Sequence, residues 1–305
     1  MPSNKPKPLV SIIALCYNQA KYAVETLDSI VNQTYPNIHL IIIDDCSSDN
    51  SVEVIKSWIE INKIECEFII HKKNWGLNPT CNDGLQRVKG DYYQIISCDD
   101  ILNSYKIEKQ IKAFQNLSTD FAVIYSDAEL IKSNGVKRYG LFIQNHQNFV
   151  DVPSGKIFEE LLNKNYIPAL SVLVRTSVTK EIGGYDENLS YEDYDLWLRI
   201  SIKYKFKYLD VISGYYRIHS SNFHANTVFI KDRFWIYYKH IDKYKPLIKK
   251  KLIEEIFLAY RHDFSQFKQL IKIYKKHYKD GTLLSLLAFF NIKYSIGRKI
   301  IALVN

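Results

Sequence analysis

Three pairs of adjacent acids are where this chain could do chemistry: Glu192-Asp193, Asp99-Asp100 and Asp44-Asp45. Glu192-Asp193 follow a Gly183-Gly184 turn and an acidic loop, and they open an apolar-periodic segment through Leu196, Trp197 and Leu198. That order predicts carboxylates at a helix entrance, where free N–H groups and the helix dipole favour negative charge. A carboxylate kept ionised there can take a proton from an alcohol, the task of a general base. Ordinary helix capping by the same residues is the plainer alternative. Asp99-Asp100 close a strand-like run, and two carboxylates there repel each other unless hydrogen bonds or a cation compensate. Mg²⁺ or Mn²⁺, completed by phosphate oxygens, is the usual compensation; a solvated turn before the next helix is the other. Asp44-Asp45 could accept hydrogen bonds from a ribose hydroxyl or a base N–H, whereas Ser47 and Asp49 just beyond could simply cap a helix.

The elements that must position these pairs alternate along the chain. Apolar, β-branched runs at residues 9–14, 38–43, 67–71, 92–96 and 121–125 predict strands, and helical spacing at 22–32, 51–62, 82–88 and 106–117 predicts helices between them. Nearly continuous apolar strands suit a parallel sheet covered on both faces. The alternation predicts an α/β sheet with right-handed crossovers, whose ligands sit beyond the carboxyl ends of the strands. There the strands empty into Tyr17-Asn18, Asp44-Asp45-Cys46-Ser47-Ser48-Asp49, Asn74-Trp75-Gly76 and Asp99-Asp100. From about residue 228 the pattern changes to Lys- and Tyr-rich segments at helical spacing, interrupted at Pro246 and near Gly281.

The 305 residues are 47% hydrophobic and 14% aromatic, enough for one large domain with an appendage. The net charge of +8 is unevenly spread: residues 231–305 hold 17 basic and 6 acidic side chains, and the remainder is mildly acidic. Cys16, Cys46, Cys66, Cys81 and Cys98 are odd in number and lack C-x-x-C spacing, which predicts reduced thiols in the cytoplasm. The polar start shows no signal-peptide pattern, and no stretch reaches the roughly 20 apolar residues of a spanning helix. Two other classes stay open. A metal-dependent nucleotide hydrolase on a similar sheet would carry a Gly-rich loop after the first strand, but Leu15-Cys16-Tyr17-Asn18-Gln19 holds no glycine. A basic nucleic-acid-binding protein would explain the Lys/Tyr tail but not the acidic pairs, so no nucleic-acid partner is expected.

Taken in order, Val10-Ser11-Ile12-Ile13 with Tyr17-Asn18, Ile41-Ile42-Ile43-Asp44-Asp45-Cys46-Ser47-Ser48-Asp49, Asn74-Trp75-Gly76, Asn82-Asp83-Gly84-Leu85, Gly90-Asp91-Tyr92, Asp99-Asp100, and Gly183-Gly184-Tyr185-Asp186 with Glu192-Asp193 resemble the motifs of family 2 glycosyltransferases. The resemblance covers about residues 8–222. It implies the GT-A fold, an α/β, Rossmann-like, mixed and mainly parallel sheet flanked by helices. The catalytic domain would span 1–227, with a nucleotide-binding half at about 8–125 and an acceptor-binding half at about 126–227. Residues 228–305 would form a C-terminal helical extension. The resemblance also implies an inverting enzyme using Mn²⁺ or Mg²⁺. It would move a sugar from a nucleotide-diphosphate sugar, a UDP-sugar being the first expectation, to a saccharide or lipid-linked saccharide. Bacterial surface polysaccharide or glycoconjugate synthesis is the implied setting.

By the same resemblance Tyr17 packs on the nucleotide base and Asp45 hydrogen-bonds it, with Asn18 and Asn74 beside them. Asp99 lies near the ribose and metal, Asp100 is the metal ligand, and Asp193 is the catalytic base with Glu192 next to it in the acceptor site. Arg217-Ile218-His219 resembles a basic R-x-H element that closes over the diphosphate; His219 is a metal ligand or a structural histidine. Two positions depart from the pattern. Ser97 stands where many members have a further Asp, so fewer protein oxygens would hold the metal, and Leu15 stands where small or hydroxylated residues are common.

The tail carries a separate expectation. Lys249-Lys250-Lys251, Lys268, Lys272, Lys275-Lys276 and Lys279 alternate with Ile, Leu, Phe and Tyr as in a basic amphipathic helix. Such a helix would hold the protein peripherally on an anionic membrane at the inner face of the cell. The alternative is that its apolar face packs on the catalytic domain or on a second copy in a homodimer.

Overall fold

A computed structural model describes residues 6–190, 192–219 and 228–304, with backbone only at Arg138, Tyr139, Glu192, Val228, Phe229, Leu303 and Val304. The chain divides into two compact units, residues 1–222 and 223–305.

The first unit opens with β1 (Val10–Cys16), α1 (Ala20–Val31), β2 (Ile38–Asp44), α2 (Ser51–Asn62), β3 (Glu67–Ile70), α3 (Leu77–Arg87) and β4 (Tyr92–Ser97). It continues through β5 (Ile101–Leu102), α4 (Lys106–Gln115), β6 (Phe121–Lys132), β7 (Lys137–Leu141), α5 (Phe142–His146) and α6 (Phe158–Asn163). A 3₁₀ turn at Ala169–Ser171, β8 (Leu173–Arg175), α7 (Thr176–Ile182), α8 (Glu192–Ser201) and β9 (Lys205–Ile218) complete it. The strands form one sheet in the order β3-β2-β1-β4-β8-β6-β9-β5, with β7 on β6. β1, β2, β3 and β4 pair in parallel, as their unbroken apolar sequences require. β8 runs antiparallel between β4 and β6, so the sheet becomes mixed beyond the first four strands.

Register decides where the loops emerge. Val10 faces Ile38 and Tyr92, and six residues later Cys16 faces Asp44, so the carboxyl ends of β1, β2 and β4 finish on one rim. Val10, Ile12, Ala14, Ile42 and Ile96 lie buried against Leu27 and Ile30 of α1, Ile55 of α2, and Ile107, Ile111 and Phe114 of α4. Two elements differ from the sequence expectation. α3 begins at Leu77, not near residue 82, because Asn78 and Asn82 are side chains that bond a distant loop and do not mark a chain break. The two-residue β5, directly after Asp100, is too short to leave a periodic signal and exists through pairing with β9.

The second unit contains α9 (Val228–Tyr238), α10 (Lys245–His262), α11 (Phe264–Tyr274), α12 (Thr282–Phe289) and α13 (Tyr294–Val304). The expected basic amphipathic helix is corrected here: Asp263 breaks it, its carboxylate accepting from Ser265 and Gln266 N–H to start α11. The apolar faces are also turned inward. Ile248, Leu252, Ile256, Phe267, Leu270, Ile271, Leu284 and Leu287 are buried. Among the described residues no helix is long and apolar enough to cross a membrane.

Candidate active site

The rim over β1 and β2 is a closed polar network. Asp44 is buried at the end of β2 and accepts from the Ser47 N–H at 2.8 Å and the Ser47 hydroxyl at 2.6 Å, bending the chain back. Asn18, in the left-handed region at φ 53°, turns its side-chain oxygen onto the Ser48 N–H at 2.7 Å and the Asp49 N–H at 3.3 Å. Asn is among the few residues that tolerate that backbone. Asp49 accepts from the Ala20 N–H, one of the unpaired donors opening α1. Tyr17, half-exposed, sits at the edge of this network with its ring free to stack.

Asp45 organises the neighbouring loop. It is buried and accepts from Trp75 N–H at 2.8 Å and Gly76 N–H at 2.9 Å, while His71 Nδ1 stands 2.7 Å from its Oδ1. Asn74 donates to the Asp45 carbonyl. The other His71 nitrogen lies 3.3 Å from Asp83 of α3, and Trp75 stacks on the imidazole with centroids 4.0 Å apart. His71 closes a predicted strand, and nothing in its immediate spacing marked it as the link between two carboxylates.

Asp99 and Asp100, both buried, end the same rim after β4. Burial and the neighbouring Asp99 charge push the Asp100 carboxyl well above the usual carboxylate range; the Arg217 N–H, donating to Asp100 at 2.9 Å, and the Arg217 charge oppose that shift. His219 Nε2 lies 2.8 Å from the Asp99 carboxylate. Arg217, expected to close over the diphosphate, lies against the Asp99-Asp100 turn. It is 2% exposed, its Nε donates to the Asp99 carbonyl, its guanidinium bonds the Lys132 carbonyl and Glu25, and it lies over the Tyr22 ring. A guanidinium with that set of partners braces the Asp99-Asp100 turn from behind. Tyr22, which also stacks on His219, and Glu25 sit on α1 without any motif to reveal them. Ser97 accepts from the Gln19 side chain, so the position that departs from the family pattern serves the β1 loop.

Asp193 occupies the first turn of α8, buried. Burial raises its carboxyl to about 6, while hydrogen bonds from the Asn165 amide and the backbone pull the other way. Asn165 donates to Asp193 Oδ1 at 3.2 Å. The side chain of the neighbouring Glu192 lies outside the described residues. Asp195, two residues on, pairs with Arg199 at 2.7 Å, and Arg199 in turn donates to the Ile182 and Gly184 carbonyls. Gly183 closes α7 at φ 93°, a conformation costly for any side chain. Asn82 of α3 then binds the Tyr185 N–H and carbonyl, and Asn78 binds the Asp186 carbonyl, so α3 fixes the loop that leads to Asp193.

Asn165 was invisible in the sequence, and its placement is itself built. Tyr194, next to Asp193, donates to the Leu161 carbonyl at the end of α6. On the far side, three consecutive carbonyls are held by buried side chains: Gln94 binds Leu170, Gln110 binds Ser171 and Lys106 binds Val172. Burial lowers the Lys106 amine well below its ordinary range, and Gln94 Oε1 is its other partner. Buried polar groups of this kind are tolerated only when bonded, and here they pin the segment from both ends.

The site thus joins a parallel strand rim lined with acids to a second half that presents a buried carboxylate at a helix start. The family model for glycosyl transferase family 2 matches residues 11–179, and the chain belongs to that family. An uncharacterized glycosyltransferase of Rickettsia prowazekii is 30% identical over 304 residues, covering 93% of this chain and 85% of that protein. Other relatives extend well past the match: the chain spans 63% of a Rickettsia typhi glycosyltransferase and 27% of one from Rickettsia bellii. Among solved structures, S. aureus TarS in complex with UDP-GlcNAc superposes with a TM-score of 0.61 at 18% identity, over 92% of this chain and 79% of that one. The mannosyltransferase PcManGT of Pyrobaculum calidifontis, in complex with GDP-Man and Mn²⁺, gives 0.57 at 14% identity, over 98% and 84%. These two likenesses show the fold.

Proposed function

We propose that the enzyme moves a sugar from a UDP-linked donor to a hydroxyl of a saccharide or lipid-linked saccharide, with inversion and with Asp193 as general base. One observation carries this: a buried carboxyl at the first turn of α8, raised to about 6 by burial and oriented by Asn165. Such a group is ionised at neutral pH yet basic enough to take a proton as it leaves a hydroxyl. The acceptor oxygen attacks the anomeric carbon from the face opposite the diphosphate while its proton passes to Asp193. A single displacement inverts the centre, unlike the double displacement of retaining glycosidases. Tyr17 offers the half-exposed ring for the base, and Asp45 sets the Trp75 loop beside it.

Among the described residues no three His, Cys, Asp or Glu side chains converge as a metal cage, so an Mn²⁺ or Mg²⁺ ion would rest on Asp100, with Asp99 and His219 beside it, and on the diphosphate oxygens of the donor. The mutual repulsion of the two buried acids is the strain such an ion relieves. A bound divalent ion would offset the charge growing on the leaving diphosphate. The TarS and PcManGT complexes with UDP-GlcNAc, and with GDP-Man and Mn²⁺, support a nucleotide-sugar donor and a metal by likeness of fold. Calorimetric titration of UDP tests this directly. Affinity falls tenfold or more when EDTA is added, and equal affinity with and without EDTA removes the ion from the account. A panel of nucleotide sugars, scored for slow hydrolysis, identifies the donor. Synthesis at the cytoplasmic face of a membrane is the setting that matches a lipid-linked acceptor.

A further inference from the structure

We propose that the turn between α12 and α13 is a membrane-contact edge, inserting Phe289 and Phe290 into the interface of an anionic lipid surface. Most apolar side chains of the second unit are consumed by its own core, so those left outside stand out. Phe289 is 77% exposed and Phe290 64%, with Leu286 one turn earlier at 47% and Ile296 on α13 at 60%. The two phenyl rings meet edge to face, 5.1 Å apart. A wide exposed aromatic tip of this kind marks a contact surface more often than an ordinary surface residue.

The turn holding the rings is bonded to its neighbours. The Tyr260 hydroxyl of α10 donates to the Ile292 carbonyl at 2.8 Å, and Lys268 of α11 donates to the Asn291 side chain at 2.8 Å. Asn291 takes the left-handed backbone at φ 55°, and the Ile292 N–H returns to the Leu287 carbonyl. Gly297 lets α13 pass against Tyr260, since a Cβ there would meet the hydroxyl at 1.7 Å. The inner side of the turn is therefore bonded to α10 and α11, and the rings have only the outer side. Ordering costs little on contact, because the turn is already made.

Charge names the partner. Residues 264–304 carry eight basic side chains and a single acid, Asp280. That acid is held by Lys249 and Tyr274. Lys293, Arg298 and Lys299 are exposed around the turn, and Lys268 is anchored at it. Aromatic rings at the headgroup level with a basic surround are the arrangement that binds anionic bilayers, each basic group adding attraction within a Debye length. The edge is independent of the assignment of Asp193, so the two can fail separately.

Flotation of the full chain with vesicles of equal parts phosphatidylglycerol and phosphatidylcholine, against pure phosphatidylcholine, tests the edge. The expected result is flotation with the anionic vesicles alone, weakened by salt. The F289S/F290S double variant loses vesicle affinity by about tenfold or more while hydrolysis of a UDP-sugar is unchanged. A second variant, K293E/K299E, lowers binding without touching the rings. Equal flotation of parent and F289S/F290S overturns the proposal, as does parent that floats with neither vesicle. A dimer in solution that the double variant converts to monomer also overturns it, because the patch then belongs to a second copy.

Discussion

The two acidic centres of the catalytic unit are built in opposite ways. On the donor side Asp44, Asp45 and Asp49 each accept two or more hydrogen bonds, and Asn18 and His71 tie the loops into one network. On the acceptor side Asp193, buried at a helix start, accepts from the Asn165 amide and from backbone N–H groups, and burial outweighs them. Carboxylates saturated with donors hold the shape of their loops. A carboxylate whose burial outweighs its hydrogen bonds rises toward neutrality and becomes able to exchange a proton. The proposed function puts binding on the saturated side and proton transfer on the side of Asp193.

The largest effect is expected from breaking the Asp193 side. Asp193→Asn keeps the shape and loses the base, and kcat falls by about 10²–10⁴-fold. In the parent, transfer is expected to decline as pH falls through about 6, because the protonated carboxyl is no longer basic enough to take the hydroxyl proton. A kcat/KM profile that stays flat well below that pH contradicts the assignment.

Breaking the saturated side should do something different. Asp45→Ala orphans the buried N–H groups of Trp75 and Gly76 and the partner of His71. Each unsatisfied donor costs about 1–3 kcal/mol, so thermal unfolding shifts down by several degrees and UDP affinity drops, while the acid limb of the pH profile stays where it was. An unchanged melting temperature means the loop is held by other contacts.

The smallest and most diagnostic change is Asn165→Ala. Its amide stabilises the charged form of Asp193, so its loss moves the acid limb to higher pH, with kcat at alkaline pH lowered much less. A limb that does not move, with kcat simply reduced, makes Asn165 a packing residue.

How much of this the sequence foretold follows the same division. The donor rim was legible because parallel strands leave long apolar runs and their loops leave contiguous polar motifs; α2 was placed at its observed ends, Ser51–Asn62. The acceptor side was legible only at Gly183-Gly184 and Asp193. Asn165 and the carbonyl-binding trio Gln94, Lys106 and Gln110 act across separations of 28 to 76 residues, which no local period records. Arg217 shows the same limit: its type suggests a phosphate, while its burial and its bonds to Glu25 and to the Asp99 carbonyl come from across the fold. In the tail, amphipathic spacing was plain, but spacing cannot tell a lipid from a neighbouring helix.

UDP titration of Asp193→Asn beside the parent, with transfer measured on the same samples, tests the division most directly. The account predicts an unchanged dissociation constant for UDP together with transfer reduced about a hundredfold or more. Transfer near the parental rate, or a loss of UDP affinity that matches the loss of transfer, would contradict it.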